Sequence, residues 1–179
     1  MKIRKAVPRD IPDISVIYEK IHAAEENGYM EVGWKRDVYP TENTARNALH
    51  RDDLFVLLDD EDTLVGVAII NRIQAEGYKK GHWKHPAEEQ DIMVLHTLVI
   101  SPDEQDKGYG KAFAQFYEDY ALKNGCHHLR IDTNAKNARA RQFYNKLGYS
   151  EADIVQTSFN GLQDVDLVLL EKKLLKGSR

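Results

Sequence analysis

The chain contains one apolar run that is followed by a glycine-containing loop, and a helical pattern begins directly after the loop. The run covers 92–100 and has almost no polar position, as expected for a strand covered on both faces of a sheet. Ser101 and Pro102 end it. Beyond the loop, apolar residues recur at the spacing of an amphipathic helix, at Tyr109, Ala112, Phe113, Phe116, Tyr117, Tyr120 and Ala121. The sequence therefore predicts a central strand, a glycine loop and a long helix in succession.

The junction between the loop and the helix predicts a site for a phosphate group. The first backbone N–H groups of a helix have no partner inside the helix, and the helix dipole places partial positive charge beside them. Gly108 and Gly110 have no Cβ to obstruct an approaching phosphate, while Lys107 and Lys111 add charge. The loop is not a P-loop, because no Gly-Lys-Ser/Thr follows, and it lacks the third glycine of the dinucleotide fingerprint.

A second helical motif follows downstream, after a strand-like alternation at 129–133. It has the pattern Asn137-x-x-Ala140-x-x-x-Tyr144, and Gly148 is placed to end the helix in a left-handed conformation. The strand, helix and strand from 92 to 133 should form a parallel pair with a right-handed crossover. Taken singly, the first motif could be a loop that only caps a helix, and the second an ordinary helix with a core aromatic.

Together the two motifs resemble those of the GNAT family of N-acetyltransferases. The family's cofactor loop has Gln/Arg-x-x-Gly-x-Gly/Ala between a strand and a helix, and its second motif has Asn-x-x-Ala-x-x-x-Tyr with a Leu-Gly-Tyr/Phe exit. Here these are Gln105-x-x-Gly108-x-Gly110 and residues 137–149. The resemblance implies an α+β (α/β/α) fold, with a mixed, mostly antiparallel sheet, splayed central strands and helices on both faces.

The resemblance also implies acetyl-CoA as the cosubstrate, held by two stretches of the chain. Its pyrophosphate would lie on the N–H groups of 105–111, and its pantetheine would add along the main chain of 98–100 like an extra half-strand. The implied cofactor-binding residues are Leu98, Val99, Ile100, Gln105, Asp106, Lys107, Gly108, Tyr109, Gly110, Lys111, Asn137, Ala140 and Tyr144.

The chemistry implied by the resemblance is direct transfer of the acetyl group to a primary amine. The backbone N–H of Leu98 would bind the oxyanion, and Tyr144 would protonate the leaving thiolate, a slightly uphill step between pKa values of about 10 and about 8.5. Many relatives carry a glutamate base where this chain has Val94. His96 shares a strand face with Val94 and Leu98 by the period of two and is the candidate base; the alternative is a buried histidine satisfied by hydrogen bonds.

The acceptor side is predicted from aromatic residues in polar segments. Trp34 and Tyr39 follow the first helix, and Trp83 lies in the irregular stretch before the central strand. They could wall an acceptor pocket, or they could fold onto the core. The acceptor is expected to be a small-molecule or peptide amine of unassigned charge, because acids and bases mix in 25–37. The alternative function is a non-catalytic sensor or interaction module that binds CoA or an acyl-CoA.

Length and charge limit the other classes of function. A chain of 179 residues, 42% hydrophobic and 30% charged, predicts one ordinary soluble domain. The resemblance implies that this is a GNAT domain over 1–175, with a frayed tail at 176–179. A net charge of −4 argues against a nucleic-acid partner, and no apolar run is long enough to enter a membrane. The single cysteine, Cys126, favours a reducing cytoplasm and is more typical of a core residue than of a nucleophile.

Two segments, one acidic and one with a pair of histidines, contain residue types that can bind metal ions. The acids at 59–62 lie at the tip of a predicted hairpin, where solvated side chains are more usual than a calcium site. His82 and His85 have no cysteine or close second pair to complete a zinc site, so no metal is expected. A homodimer is compatible with the two edge strands, which must be covered in some way.

Overall fold

The computed structural model describes residues 1–175 and contains, within them, a seven-stranded mixed sheet and four α-helices. The predicted tail, 176–179, lies outside the described residues. The strands are β1 (Lys2–Lys5), β2 (Leu54–Leu58), β3 (Leu64–Asn71), β4 (Ile92–Ile100), β5 (His128–Asn134), β6 (Ser150–Phe159) and β7 (Leu162–Lys173). The helices are α1 (Ile11–Glu26), α2 (Glu42–His50), α3 (Tyr109–Lys123) and α4 (Ala138–Lys146).

The strand order is β1-β2-β3-β4-β5-β7-β6, which puts β4 in the middle of the sheet. Pairing is antiparallel for β1 with β2, β2 with β3, β5 with β7 and β6 with β7, and parallel for β4 with β5. The predicted α+β class, central strand and parallel pair are therefore confirmed.

The parallel ladder between β4 and β5 is shorter than either strand. Its register joins Ile92–Leu95 to His128–Ile131, whereas β4 continues to Ile100 and β5 to Asn134. The carboxyl-terminal parts of the two strands thus lie outside this ladder.

The described chain divides into two compact units. The first unit comprises Met1–Met30, Trp34–Ile70 and His96–Phe116, and the second comprises 31–33, 71–95 and 117–175. In the first unit, α1 buries residues at the spacing of one helix face, and Phe55 packs on Phe116 with ring centroids 5.5 Å apart. Asp10 precedes α1, where an aspartate side chain commonly caps a helix. It makes no such cap, because its carboxylate accepts from the Val7 N–H and from Arg4 instead.

The second unit is built around an apolar cluster and the terminal hairpin. The cluster contains Tyr78, Ile92, Val94, Val155, Val165, Leu167 and Leu169. The hairpin of β6 and β7 turns at Asn160 and Gly161, with φ of 52° and 80°, as two left-handed turn residues require. Tyr117 of α3 donates its hydroxyl to the carbonyl oxygens of Met93 and Arg130, at 2.6 and 3.2 Å.

Candidate active site

The loop between β4 and α3 carries two left-handed residues. A 3-10 helix, Pro102–Glu104, follows Ser101, and then Asp106 and Gly108 have φ of 64° and 86° before α3 begins at Tyr109. A Cβ built on Gly108 would meet no atom within 4 Å. Left-handed turns of this kind tilt backbone N–H groups toward a common point, and anions bind there. The exposed backbone at Gly108 is therefore open to a ligand.

The side chains of this loop contribute less positive charge than the sequence suggests. Lys107 Nζ lies 2.7 Å from Glu104 Oε2, and this hydrogen bond raises the pKa of Lys107. Gln105 donates to Met30 Sδ at 3.6 Å, and Lys111 is exposed. Because Glu104 already neutralises Lys107, an anion at this loop would be held chiefly by main chain.

Strand β4 contains a left-handed residue, Thr97. Its φ of 50° is rare for a β-branched residue, and such a residue interrupts the alternation of side chains along a strand. The prediction that Leu98 shares a face with His96 by simple alternation therefore does not carry across Thr97. His96, Thr97 and Leu98 are half-buried, whereas Val94 and Val99 are buried.

The end of β4 packs closely on β3. A Cβ added to Gly66 would lie 2.7 Å from Ile100 Cδ1 and 3.3 Å from the carbonyl oxygen of Val99. The Ser101 N–H donates to the carbonyl oxygen of Val65 at 2.8 Å. One edge of the segment predicted to hold pantetheine, 98–100, is therefore already engaged by β3.

The two aromatic residues predicted after the first helix lie together. The rings of Trp34 and Tyr39 meet edge to face with centroids 5.9 Å apart, and the Tyr39 hydroxyl is hydrogen-bonded to the Thr97 hydroxyl. The aromatic pair is therefore attached to the left-handed residue of β4, one position before the predicted oxyanion group.

A small cavity of about 190 Å³ lies beside the segment that follows Trp34. It is lined by Ser15, Tyr18, Glu19, His22, Asp37, Pro40, Thr41 and Glu42. Two of its carboxylates already have cationic partners, because Arg36 pairs with Glu19 and Arg46 with Glu42. The cavity therefore does not by itself assign a charge to the acceptor.

In the second unit, α4 begins at a side-chain cap and carries the predicted acid. The side-chain oxygen of Asn137, Oδ1, accepts from the Ala140 N–H at 3.0 Å. Tyr144 is 7% exposed and packs edge to face on Phe143 and Tyr149, with ring centroids 5.1 and 5.7 Å away.

The buried setting keeps Tyr144 protonated. Burial, and then the negative charge of Asp132, raise the pKa of Tyr144 well above that of a free phenol. A hydroxyl that remains protonated at neutral pH is available as a hydrogen-bond and proton donor.

Asp132 is a functional candidate that the sequence reasoning missed. It lies on β5, half-buried, and its Oδ2 accepts from the Tyr78 hydroxyl at 2.7 Å. Burial raises the pKa of Asp132 to about 6, against the lowering effect of the Tyr78 hydrogen bond. The alternation at 129–133 had indicated only a strand, and no local signal in the sequence pairs residue 132 with residue 78.

Trp83 is fixed within the second unit. Its Nε1 donates to the carbonyl oxygen of Tyr78 at 2.9 Å, and the Arg130 guanidinium stacks 3.9 Å from the centre of its ring. Burial lowers the pKa of Arg130. The indole is thus fixed by a hydrogen bond at its N–H and by a guanidinium over its ring, and its role toward an acceptor stays a prediction.

Cys126 is buried, and its Sγ donates to the carbonyl oxygen of Gln90 at 3.5 Å. Among residues 1–175, no group of three or more His, Cys, Asp and Glu side chains is arranged to hold a metal ion. None of the helices described is long and apolar enough to span a bilayer.

The sequence matches known acetyltransferases. The acetyltransferase (GNAT) family matches residues 18–149. The uncharacterized N-acetyltransferase MJ1207 of Methanocaldococcus jannaschii is 27% identical over 75 residues, 42% of this chain and 33% of that protein. The ribosomal protein bS18-alanine N-acetyltransferase of Escherichia coli is 30% identical over 83 residues, 45% of this chain and 56% of that enzyme. The matches thus span about a third to about half of the length of these relatives.

Solved structures match over nearly the whole chain. A GNAT-family acetyltransferase from Streptococcus agalactiae has a TM-score of 0.77 and 25% identity, covering 97% of this chain and 95% of that one. The Salmonella typhimurium protein yncA, solved with its cofactor acetyl-CoA, has a TM-score of 0.66 and 18% identity, covering 100% and 96%. The second likeness concerns the fold alone. On the family match over most of its length and on its fold, the chain belongs to the acetyltransferase (GNAT) family.

Proposed function

We propose that this chain is an N-acetyltransferase that moves the acetyl group of acetyl-CoA directly to a primary amine of a small molecule or a peptide. The observation that carries the proposal is the junction of β4 and α3, where exposed backbone at Gly108 is left-handed and unobstructed. Such a junction suits a pyrophosphate, and the chain belongs to a family of acetyltransferases.

The proposed cofactor contacts come from three stretches of the chain. The 105–111 loop would hold the pyrophosphate, and the main chain of 98–100 would pair with pantetheine. Asn137, Ala140 and Tyr144 would meet the cofactor from α4. We propose one GNAT domain over 1–175 that needs no metal.

The proposed chemical roles follow the steps of the reaction. The Leu98 N–H would bind the oxyanion of the tetrahedral intermediate, and Tyr144 would protonate the departing thiolate. Because the pKa of Tyr144 is raised, this proton would move as the carbon–sulfur bond breaks rather than before it. His96, half-buried on β4, is the base that the sequence proposes.

The acceptor class is the part of the proposal that needs a screen. Trp34, Tyr39 and Trp83 are the proposed acceptor-side residues. The E. coli relative is named for an alanine of ribosomal protein bS18, so peptides with a free N-terminus belong in the panel. A nucleic-acid partner is not proposed for a chain of net charge −4, and a cytoplasmic location stays a prediction from its single cysteine. A homodimer likewise stays a prediction.

The test combines cofactor binding with turnover. Acetyl-CoA affinity is measured by calorimetry, and thiol release is followed with polyamines, amino acids, aminoglycosides and N-terminal peptides, with mass spectrometry of each acceptor. We expect binding together with thiol release that depends on one class of amine. Binding without acetylation of any amine would favour the non-catalytic sensor, and absence of binding would refute both readings.

A further inference from the structure

A carboxylate that the roles above do not use lies at the end of the parallel ladder in the second unit. The ladder of β4 and β5 ends at Ile131, and Asp132 is the next residue of β5. Tyr78 is only 2% exposed, and its hydroxyl donates a hydrogen bond of 2.7 Å to one oxygen of this half-buried carboxylate. A fixed carboxylate with restricted access to water is the kind of group that can receive a proton.

Asp132 has neighbours on three other elements of the second unit. Tyr78, in the Glu76–Lys80 segment, faces Asp132. The negative charge of Asp132 also contributes to the raised pKa of Tyr144 on α4. On β7 its register partner is Leu169. The nearest cation on its own strand, Arg130, stacks on Trp83, hydrogen-bonds to Gln74 and pairs in register with Glu171.

The part of β4 that pairs with β5, Ile92–Leu95, carries no titratable side chain. Val94, in register with Arg130, is fully buried in the same apolar cluster as Tyr78. This position carries a glutamate in many relatives, as the resemblance implied. In the second unit, Asp132 lies instead on β5, the strand that pairs with this part of β4, and it accepts a hydrogen bond from Tyr78 of the same cluster.

We propose that Asp132 takes the proton that the acceptor nitrogen loses during acetyl transfer, which rests on the function proposed above. The neutral amine attacks the thioester carbonyl and forms the C–N bond of a tetrahedral intermediate, and the C–S bond breaks as this intermediate collapses. One N–H proton passes to the Asp132 carboxylate, directly or through a water molecule. The thiolate takes the Tyr144 proton, and Tyr144 then regains a proton from solvent as Asp132 releases one.

The titration of Asp132 fits this role. Burial raises the pKa of Asp132 to about 6, so the carboxylate is ionised at neutral pH yet more basic than an exposed aspartate. The Tyr78 hydrogen bond opposes that rise. Removing the Tyr78 hydroxyl should therefore raise the pKa of Asp132 further.

The experiment is the pH dependence of kcat/KM with the fastest amine from the screen, whose own pKa is titrated separately. Below pH about 6, both the amine and Asp132 must lose a proton, so log kcat/KM should rise with a slope of about 2. Above that pH the slope should fall to about 1, until the amine itself is deprotonated. The break in slope reports the proton acceptor of the free enzyme.

Three variants test whether the break in the slope of log kcat/KM belongs to Asp132. Asp132→Asn should remove it and lower kcat/KM by about 10²- to 10⁴-fold above pH 7. Tyr78→Phe should keep most activity and move the break to higher pH, a shift that a purely structural role for Asp132 would not produce. Asp119→Asn, the same substitution on an exposed face of α3, should leave the profile unchanged.

The outcomes separate this inference from the proposed function. If the parent acetylates an amine and Asp132→Asn, folded by circular dichroism, keeps both rate and break, Asp132 is not the proton acceptor. Loss of the break in His96→Gln instead would give the role to His96. A parent that acetylates no amine refutes the proposed function, and the role of Asp132 with it.

Discussion

The junction of β4 with α3 and the region of β5 and α4 differ in what they offer a substrate. The first presents exposed main chain at Gly108, and its Lys107 is neutralised by Glu104. The second presents side chains in a buried setting, with Tyr144 7% exposed and the pKa of Asp132 raised to about 6. Backbone geometry suits binding of an anion, whereas proton transfer needs fixed groups with shifted pKa values.

The starts of the two helices show the same contrast. At α4, the N-terminus is occupied by the chain itself, because the Asn137 side chain accepts from Ala140 N–H at 3.0 Å. At α3, the residue before the helix is a left-handed glycine with open space around it. The two helices thus differ at their first turns, since a side chain caps α4 whereas a left-handed glycine precedes α3.

The largest expected effect concerns the chemistry of the second region. Tyr144→Phe removes one hydroxyl and keeps the ring that packs on Phe143 and Tyr149. We expect unchanged acetyl-CoA affinity by calorimetry and a rate of acetyl transfer lowered by about 10²- to 10⁴-fold, measured before steady state so that product release does not intervene.

The matched control for this change is Tyr149→Phe. Tyr149 is 2% exposed, packs on the Tyr144 ring and donates its hydroxyl to Glu118 at 3.2 Å. It should keep transfer within about threefold of the parent, because no proton-donating role is assigned to it. A Tyr144→Phe variant that also stays within that range would make Tyr144 a packing residue.

The second expected effect is on stability and its pH dependence. Because the pKa of Asp132 is about 6 in the folded protein and about 3.9 when unfolded, the folded state binds the extra proton between those values. The Asp132 contribution to the free energy of unfolding therefore falls as pH rises from 4 to 6, and it is absent in Asp132→Asn. Relative to the parent, this variant should be more stable at pH 7 than at pH 4 by on the order of 2 kcal/mol.

Urea unfolding at the two pH values measures this difference. Asp119→Asn, on an exposed helix face, should show no such change between them. An equal difference for both variants would mean that Asp132 titrates like a surface carboxylate. The two regions would then no longer differ in carrying a carboxylate of raised pKa.

The third expected effect tests the first region. Gly108→Val places a branched side chain where a phosphate would approach the backbone, and acetyl-CoA affinity should fall at least about tenfold, or 1.4 kcal/mol. Gly125→Val, after the other end of α3, is the matched control, because Gly125 also has a positive φ, 77°, and open space around it. It carries the same backbone strain but should bind acetyl-CoA normally.

Calorimetry on both folded variants decides the matter. Equal affinity in Gly108→Val and Gly125→Val would place the cofactor elsewhere than the β4–α3 loop. Equal weakening in both would assign the effect to strain in α3 rather than to a blocked phosphate site.

The sequence predicted the elements near the candidate site because their signals are local. The apolar run of β4, the glycine loop and the α3 stripe are each readable within a few residues, and the structure has them at 92–100, 105–108 and 109–123. The β6–β7 turn has a signal of the same local kind, because Asn-Gly is the dipeptide favoured where a hairpin turns through two left-handed residues.

Features that depend on distant pairs were not readable in the same way. The hydrogen bond of Tyr78 to Asp132 joins residues 54 apart, and the shifted pKa of Asp132 depends on burial that forms only in the fold. The left-handed Thr97 could not be foreseen either, because β-branched residues avoid that conformation. The partner of Asp10 is not readable from the residues next to α1 either, since the side chain of Arg4 binds the carboxylate that could have capped this helix.

The smallest expected effect tests whether the start of α4 serves structure alone. Asn137→Ala removes the cap on the Ala140 N–H, which should lower the free energy of unfolding by about 1 kcal/mol. Asn145→Ala, on an exposed position inside the same helix, removes an asparagine without removing a cap and should stay within about 0.5 kcal/mol of the parent. Because Asn137 is also a proposed cofactor contact, acetyl-CoA affinity should fall in Asn137→Ala but not in Asn145→Ala. Reduced stability with normal affinity would leave Asn137 as a cap only, and the two helix starts would then differ completely, one reserved for the fold and the other for the cofactor.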